Sequence, residues 1–419
     1  MSSMVDRQTI DTVVIGAGQA GLAVSYYLVK AKRAHIVLEQ DQIGSTWQTK
    51  RWDSFTLVTP NWMNTLPAFV YGGPNPDGFL LRDEVVKYLQ DYARSFDAPV
   101  TCGAKAKRVS LKSDGSGYLV ETHAGIYDAR NVVVATGYFD KNKIPEVAGA
   151  ISKSIEQIHS SDYRNPESLR PGAVMVVGSA QSGCQIAEDL REAGRDVYLS
   201  VGNAGRQPRR YRGKDICYWV HQMGLYAKTF KDAANPVERY QPNPHCSGKY
   251  GGHALNLENF AANGITLLGR IQSAHSTRLV LLPDLMEKVA KADQFSKFLM
   301  NAADAYIKAM ALQVPEPDGS NTDDGTPKAR PRIEEFHELD LAERSVTTII
   351  WATGYTCDFS WIDLPIFDGR GYPSQTRGVS AQPGLYFCGL HWMHTLKSGL
   401  IFGVGDDALH VSRHLLDNR

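Results

Sequence analysis

Two glycine-rich turns of one design, about 160 residues apart, constrain this chain more than any other feature of its 419 residues. The first, Gly16-Ala17-Gly18-Gln19-Ala20-Gly21, follows the β-branched run Thr12-Val13-Val14-Ile15, and helical apolar spacing continues from Leu22 to Val29. The second, Gly178-Ser179-Ala180-Gln181-Ser182-Gly183, follows Ala173-Val174-Met175-Val176-Val177 and leads into a helical stretch from Cys184 to Glu192. Strand, tight turn and helix in that order begin a βαβ unit. Two such units predict an α/β chain with two Rossmann-like, three-layer dinucleotide-binding domains.

Each residue of the first turn has a physical task. Gly16 permits the tight turn, Gly18 lets a pyrophosphate approach the backbone, and Gly21 lets the helix close on the strand. Gln19 and Ala20 open the helix, whose N-terminus offers free N–H groups and roughly half a positive charge. Glu39, with Gln40 beside it, ends the next strand, Ala34–Leu38, and is placed to bind ribose hydroxyls. An acid there repels a 2′-phosphate, so FAD or NAD fits this unit and NADPH does not.

In the second turn Ala180 replaces the middle glycine, and Gly178, Ser179, Gln181, Ser182 and Gly183 are the expected nucleotide contacts. The strand Asp196–Ser200 ends in Ser200 where the first unit has its acid, and Arg206, Arg209, Arg210 and Arg212 follow. Guanidinium forks suit phosphate, and each charge-assisted hydrogen bond is worth roughly 1.5–3 kcal/mol. Arg209 and Arg210 are therefore expected to read the 2′-phosphate of NADPH; a solvated basic loop is the competing reading.

Two further apolar runs end alike, Val132-Val133-Val134-Ala135-Thr136-Gly137 and Thr348-Ile349-Ile350-Trp351-Ala352-Thr353-Gly354, each followed by tyrosine. Lying before and after the second unit, they are what a chain needs to leave one domain, build another and return. This gives a discontinuous FAD domain, 1–168 and 346–419, with an inserted NADPH domain, 169–345. Thr136, Gly137, Ala352, Thr353 and Gly354 are expected beside the dinucleotides. Pro283–Leu312 carries helical spacing, Val314–Arg332 reads as exposed loop, and 235–252 as irregular cover; the first and last of these are the expected makers of a substrate pocket.

Forty-five basic and forty-five acidic residues cancel, so no global field favours nucleic acid or an anionic membrane, and small molecules are the expected partners. Six scattered cysteines without a CxxC pair predict no metal site and a reduced, cytoplasmic protein. The N-terminal apolar run is far shorter than the roughly 18 residues of a membrane span, so neither signal peptide nor anchor is expected.

On these motifs, and on Ile43–Trp47, Arg51-Trp52 and Gly389-Leu390-His391-Trp392-Met393-His394, the chain resembles the class B flavin-containing monooxygenases, in the bacterial branch similar to plant YUCCA-type enzymes. It departs from the family's FxGxxxHxxxY/F signature: Gly149 and His159 are too widely spaced and no phenylalanine precedes them. The resemblance implies that NADPH reduces FAD and that a C4a-(hydro)peroxyflavin oxygenates a small organic substrate with O2. N- or S-oxygenation, a Baeyer–Villiger reaction and oxidative decarboxylation all remain open, as does a reductase that inserts no oxygen. By resemblance Asn61 lies beside the flavin, Trp47, Gln48, Arg51 and Trp52 pass under its ring, and Gly389 approaches it. His391, His394 and Lys397 are the remaining catalytic candidates, set before a helix expected to begin near Ser398. A homodimer is an open option.

Overall fold

A computed structural model describes residues 7–139, 141–232 and 242–418. The chain runs β1 (Arg7–Ile15), α1 (Gln19–Lys30), β2 (His35–Leu38), β3 (Val100–Thr101) and β4 (Ile126–Val134). It crosses to β5 (Glu156–His159), β6 (Ala173–Val177), α2 (Gln181–Glu192), β7 (Val197–Ser200), β8 (Thr266–Leu268), α3 (Leu285–Ala309) and β9 (Val346–Trp351). It returns through β10 (Leu385–Phe387) and ends in α4 (Val404–Asp417).

The two units repeat one layout. Parallel strands lie in the order β10-β4-β1-β2-β3 in the first sheet, which short antiparallel strands extend, and β5-β9-β6-β7-β8 in the second. Parallel strands covered on both faces need apolar side chains in both directions. In β1, Val13 and Ile15 pack with Val132, Val134, Leu385 and Phe387 on one face, whereas Val14 joins Leu22, Val133 and Tyr386 on the other. In β6, Met175 and Val177 pack with Ile349 and Trp351, while Val174 and Val176 meet Cys184, Ile186 and Leu190 of α2. Val13, Val14, Val174 and Val176 are fully buried, each stabilising the fold by about 1.5–3 kcal/mol.

The sheet memberships move the expected domain boundaries. β5 lies before residue 169 and β9 wholly after 345, yet both pair within the second sheet. The crossings occur instead where Lys141–Asn142 and Tyr355–Thr356 form a two-residue antiparallel ladder, outgoing chain against returning chain. The expected boundaries placed those strands by their distance from the glycine turns; pairing with β6 is a long-range choice that spacing does not reveal. His159 fastens this crossing: its Nε2 lies 3.0 Å from the Gly354 carbonyl and its Nδ1 3.0 Å from Ser161 Oγ. Asp189 of α2 ties the units together elsewhere, accepting from Ser54 Oγ at 2.6 Å, Tyr163 Oη at 2.7 Å and Lys249 Nζ at 3.2 Å.

α3 coincides with the expected helix, and no helix or strand lies between Met310 and His337, as the loop reading anticipates. Of the expected cover, residues 235–241 lie outside the described residues, and the rest is irregular apart from one 3-10 turn, Lys249–Gly251, with Tyr250, Gly251 and Gly252 at positive φ. No helix among the described residues is long and apolar enough to cross a membrane. No group of three His, Cys, Asp or Glu among them could hold a metal ion.

Candidate functional site

The two glycine turns have the same backbone. Gly16 has φ +103° and Gly178 φ +107°, a region open to glycine at little cost. A Cβ on Gly16 would lie 2.7 Å from the Ala135 carbonyl oxygen, and one on Gly178 2.6 Å from that of Ala352. Each Ala-Thr-Gly turn therefore packs beneath its own glycine turn, which explains why the tripeptide recurs. A Cβ on Gly21 would stand 1.8 Å from Gly16 O, and one on Gly183 1.7 Å from Gly178 O, so only glycine lets either helix close.

Gly18 differs. A Cβ there would meet nothing within 4 Å, and no side chain caps α1, whose first turn is left open to a ligand. At Ala180 the backbone has nearly the same angles, and α2 is likewise without a side-chain cap. An uncapped helix start above an open glycine side fits a pyrophosphate. Glu39 completes the first cradle: it is 8% exposed, its Oε2 accepts from Ala17 N at 2.8 Å and its Oε1 from Asp41 N at 3.1 Å. Each oxygen retains a lone pair for a ribose hydroxyl. Gln40 beside it is exposed.

Register corrects the matching of the two units. Ile15 pairs with Leu38 and Val177 with Ser200, while Gly16 N donates to Leu38 O and Gly178 N to Ser200 O. One residue on, Glu39 N donates to Thr101 O and Val201 N to Leu268 O. The counterpart of Glu39 is therefore Val201, 1% exposed, and not Ser200, whose hydroxyl turns away to Gly269 O at 3.0 Å. The loop is closed from the other side: Gly202 N donates to Ser179 Oγ at 3.0 Å.

The arginines expected at a 2′-phosphate are otherwise engaged. Arg209 is 0% exposed, pairs with Asp215 at 2.5 Å, donates to Val58 O at 2.9 Å and stacks over Phe79 at 4.7 Å. Its guanidinium also lies 3.4 Å from Cys246 Sγ and 3.5 Å from Cys217 Sγ. Arg210 donates to the carbonyls of Gly251 and Gly252. Arg206 is buried against Asp293, and Arg212 pairs with Asp304. Chain-local charge counting misses this, because every partner is distant in sequence or folds back through a turn.

Around the expected flavin face the assignments divide. Arg51 lies over the rings of Trp47, at 5.5 Å, and Phe55, at 5.7 Å, while Gln48 is exposed. Trp52 is 3% exposed and faces α2 across the contact between units, with Ser54, Gln185 and Lys249, a packing role. Both ends of the Asn61 amide are occupied: Nδ2 donates to Asn75 O at 3.0 Å, and Oδ1 accepts from Asn64 Nδ2 at 3.3 Å. These bonds tie Asn61 to the chain between Asn64 and Asn75.

The C-terminal motif does converge on α1. Gly389 has φ +81°, and a Cβ on it would fall 2.5 Å from Ala20 Cβ; Gln19 Nε2 donates to Gly399 O at 3.2 Å. The His391 ring lies 6.0 Å from that of Tyr138, just past the first Ala-Thr-Gly turn. Ser398 Oγ accepts from the backbone N–H of His394 and Thr395, and burial holds the Asp407 carboxyl behind it above the usual range. Lys397 pairs with Asp406 at 2.6 Å. The expected helix at Ser398 begins only at Val404, because the stretch from Ser398 to Gly403 turns back so closely that a Cβ on Gly403 would meet Lys397 O at 2.1 Å.

The cover over this motif comes from a segment that sequence reading passed over. Phe230 N donates to His394 O, Leu396 N to Lys228 O and Lys397 N to Tyr226 O, so 226–230 lies as a strap across 394–397. Tyr226 meets Phe402 edge-on at 4.9 Å, and Trp62 meets His221 at 6.0 Å. Trp219 and Cys217 pack beneath with Leu299, Ala303 and Ile307 of α3. The aromatic density of 217–230 was the available signal.

A family model described as pyridine nucleotide-disulphide oxidoreductase matches residues 13–226. An oxidoreductase of Geobacillus kaustophilus, named "Uncharacterized oxidoreductase CzcO-like", is 34% identical over 98% of this chain and 100% of its own. The indole-3-pyruvate monooxygenase YUCCA4 of Oryza sativa is 33% identical, over 42% of this chain and 44% of its own. Among solved structures, a flavin-containing monooxygenase from Stenotrophomonas maltophilia has the same fold, with a TM-score of 0.64 at 18% identity, covering 98% of this chain and 99% of its own.

Proposed function

The chain belongs to the pyridine nucleotide-disulphide oxidoreductase family and to the class B flavin-containing monooxygenases, enzymes that use FAD and NADPH, and from this premise we propose that it oxygenates a small organic molecule. The observation that carries the reading is the pair of matching cradles, joined at the Lys141–Asn142 and Tyr355–Thr356 ladder and closed on one side by the 226–230 strap. The likeness to plant indole-3-pyruvate monooxygenases supports oxygen insertion over simple electron transfer.

FAD and NADPH, when bound, supply the hydride and the activation of oxygen. The chain's own residues hold, orient and shield. Gly16, Gly18 and the start of α1 take the FAD pyrophosphate, and Glu39 takes its ribose. Gly178, Ser179 and the start of α2 take the NADPH pyrophosphate. The strap with Tyr226 and Phe402 excludes water from the space beside 391–398, which strengthens every polar contact made there. His391 is the residue placed to hold a proton, since the fold brings its ring beside Tyr138 at the first crossing.

Anaerobic reduction of the FAD-loaded protein with NADPH, followed by rapid mixing with oxygenated buffer, tests this. A slowly decaying near-ultraviolet absorbance, distinct from both oxidised and reduced flavin, is expected. Immediate return of the oxidised spectrum would instead assign the chain as a reductase that passes electrons elsewhere.

A further inference from the structure

We infer that the second nucleotide site reads the 2′-position weakly, so that NADH and NADPH bind with comparable affinity. The inference rests on the proposed placing of a pyridine nucleotide at Gly178–Gly183, and concerns what the chain offers at the adenosine ribose.

Selection at that point is electrostatic. A carboxylate at the strand end, as at Glu39, favours an unphosphorylated ribose and repels a phosphate, whereas two guanidinium contacts favour the phosphate by roughly 10² to 10⁴. The second unit has neither. The Glu39 position is filled by Val201, and the loop beyond it, Gly202-Asn203-Ala204-Gly205, carries no charge. Losing the acid admits NADPH. The cations that would select it are committed: Arg206 to Asp293, Arg209 to Asp215, Arg212 to Asp304.

Position as well as pairing removes Arg209 and Arg210. Arg209 donates to Val58 O of the first unit and Arg210 to the Gly251 and Gly252 carbonyls, so both guanidinium groups are committed to residues outside the loop that follows β7. The basic residue closest in the ladder is Arg270, after β8, and its Nε is held by Asp284 at 2.6 Å. Freeing a buried or well-paired guanidinium leaves its carboxylate unpaired, which opposes recruitment to a ligand.

Calorimetric titration of the oxidised FAD holoenzyme with NADP+ and with NAD+ tests this without turnover. Dissociation constants within about tenfold of each other are expected. Asn203→Arg, which places a cation on an exposed loop residue, should shift the ratio at least tenfold towards NADP+. Arg210→Ala should leave the ratio within about twofold. A hundredfold preference for NADP+ in the unaltered protein, or its loss in Arg210→Ala, would overturn the inference while leaving the nucleotide site in place. Binding of neither nucleotide would overturn both the inference and the placing of the nucleotide on which it rests.

Discussion

Substituting Gly18 by glutamate separates the ligand role of the first turn from its folding role. The structure has room for the change, since a Cβ at Gly18 meets nothing within 4 Å. The new carboxylate would project into the side left open for the pyrophosphate. At about 4 Å from one phosphate charge, with an effective dielectric of about 20, the repulsion is about 4 kcal/mol. That is about three decades of affinity at roughly 1.4 kcal/mol per decade. The companion variant Gly21→Ala adds only a methyl, but places it 1.8 Å from Gly16 O, where helix and strand must separate. Circular dichroism, a thermal melt and an FAD titration followed by flavin fluorescence are measured on both. Gly18→Glu should be folded and colourless, with FAD affinity about 10³ weaker, and Gly21→Ala should be poorly folded. A yellow Gly18→Glu protein with unchanged affinity would refute the assignment of the open side to pyrophosphate.

Three buried histidines make stability fall in mild acid. Burial lowers the pKa of His35, His159 and His245, the last to about 3, aided by the charge of Arg206. The unfolded chain takes up their protons near pH 6.5 and the folded chain only lower, so stability is full above about 6.5 and declines as pH falls below it, by up to about 1.4 kcal/mol per pH unit for each histidine. Urea melts from pH 7.5 to 4.5 check this, and a flat profile would show that these rings are solvated. Arg209→Ala should cost about 3–5 kcal/mol by leaving Asp215 unpaired at a buried site, and Arg209→Met with Asp215→Asn should recover part of it. Wild-type stability in Arg209→Ala, together with lost NADP+ binding, would restore the phosphate role to that residue.

Some of this protein was legible before any coordinates. Gly21 closes on Gly16 and Gly183 on Gly178 within a few residues of chain, so spacing alone carried the two strand-turn-helix units. The Ala-Thr-Gly turns were legible as strand ends but not as floors, because their contact with Gly16 and Gly178 joins segments more than a hundred residues apart. Only tertiary structure decided that β5 and β9 belong to the second sheet and that Val201 stands where Glu39 does. It alone bound Arg209 to Asp215 and Val58, and laid the 226–230 strap across His394. The reason is the same in each case. A glycine's backbone freedom and a strand's alternation are properties of the local chain, whereas the partner of a charge, the register of a strand and the cover of a site are settled by whatever surface long-range packing brings against them.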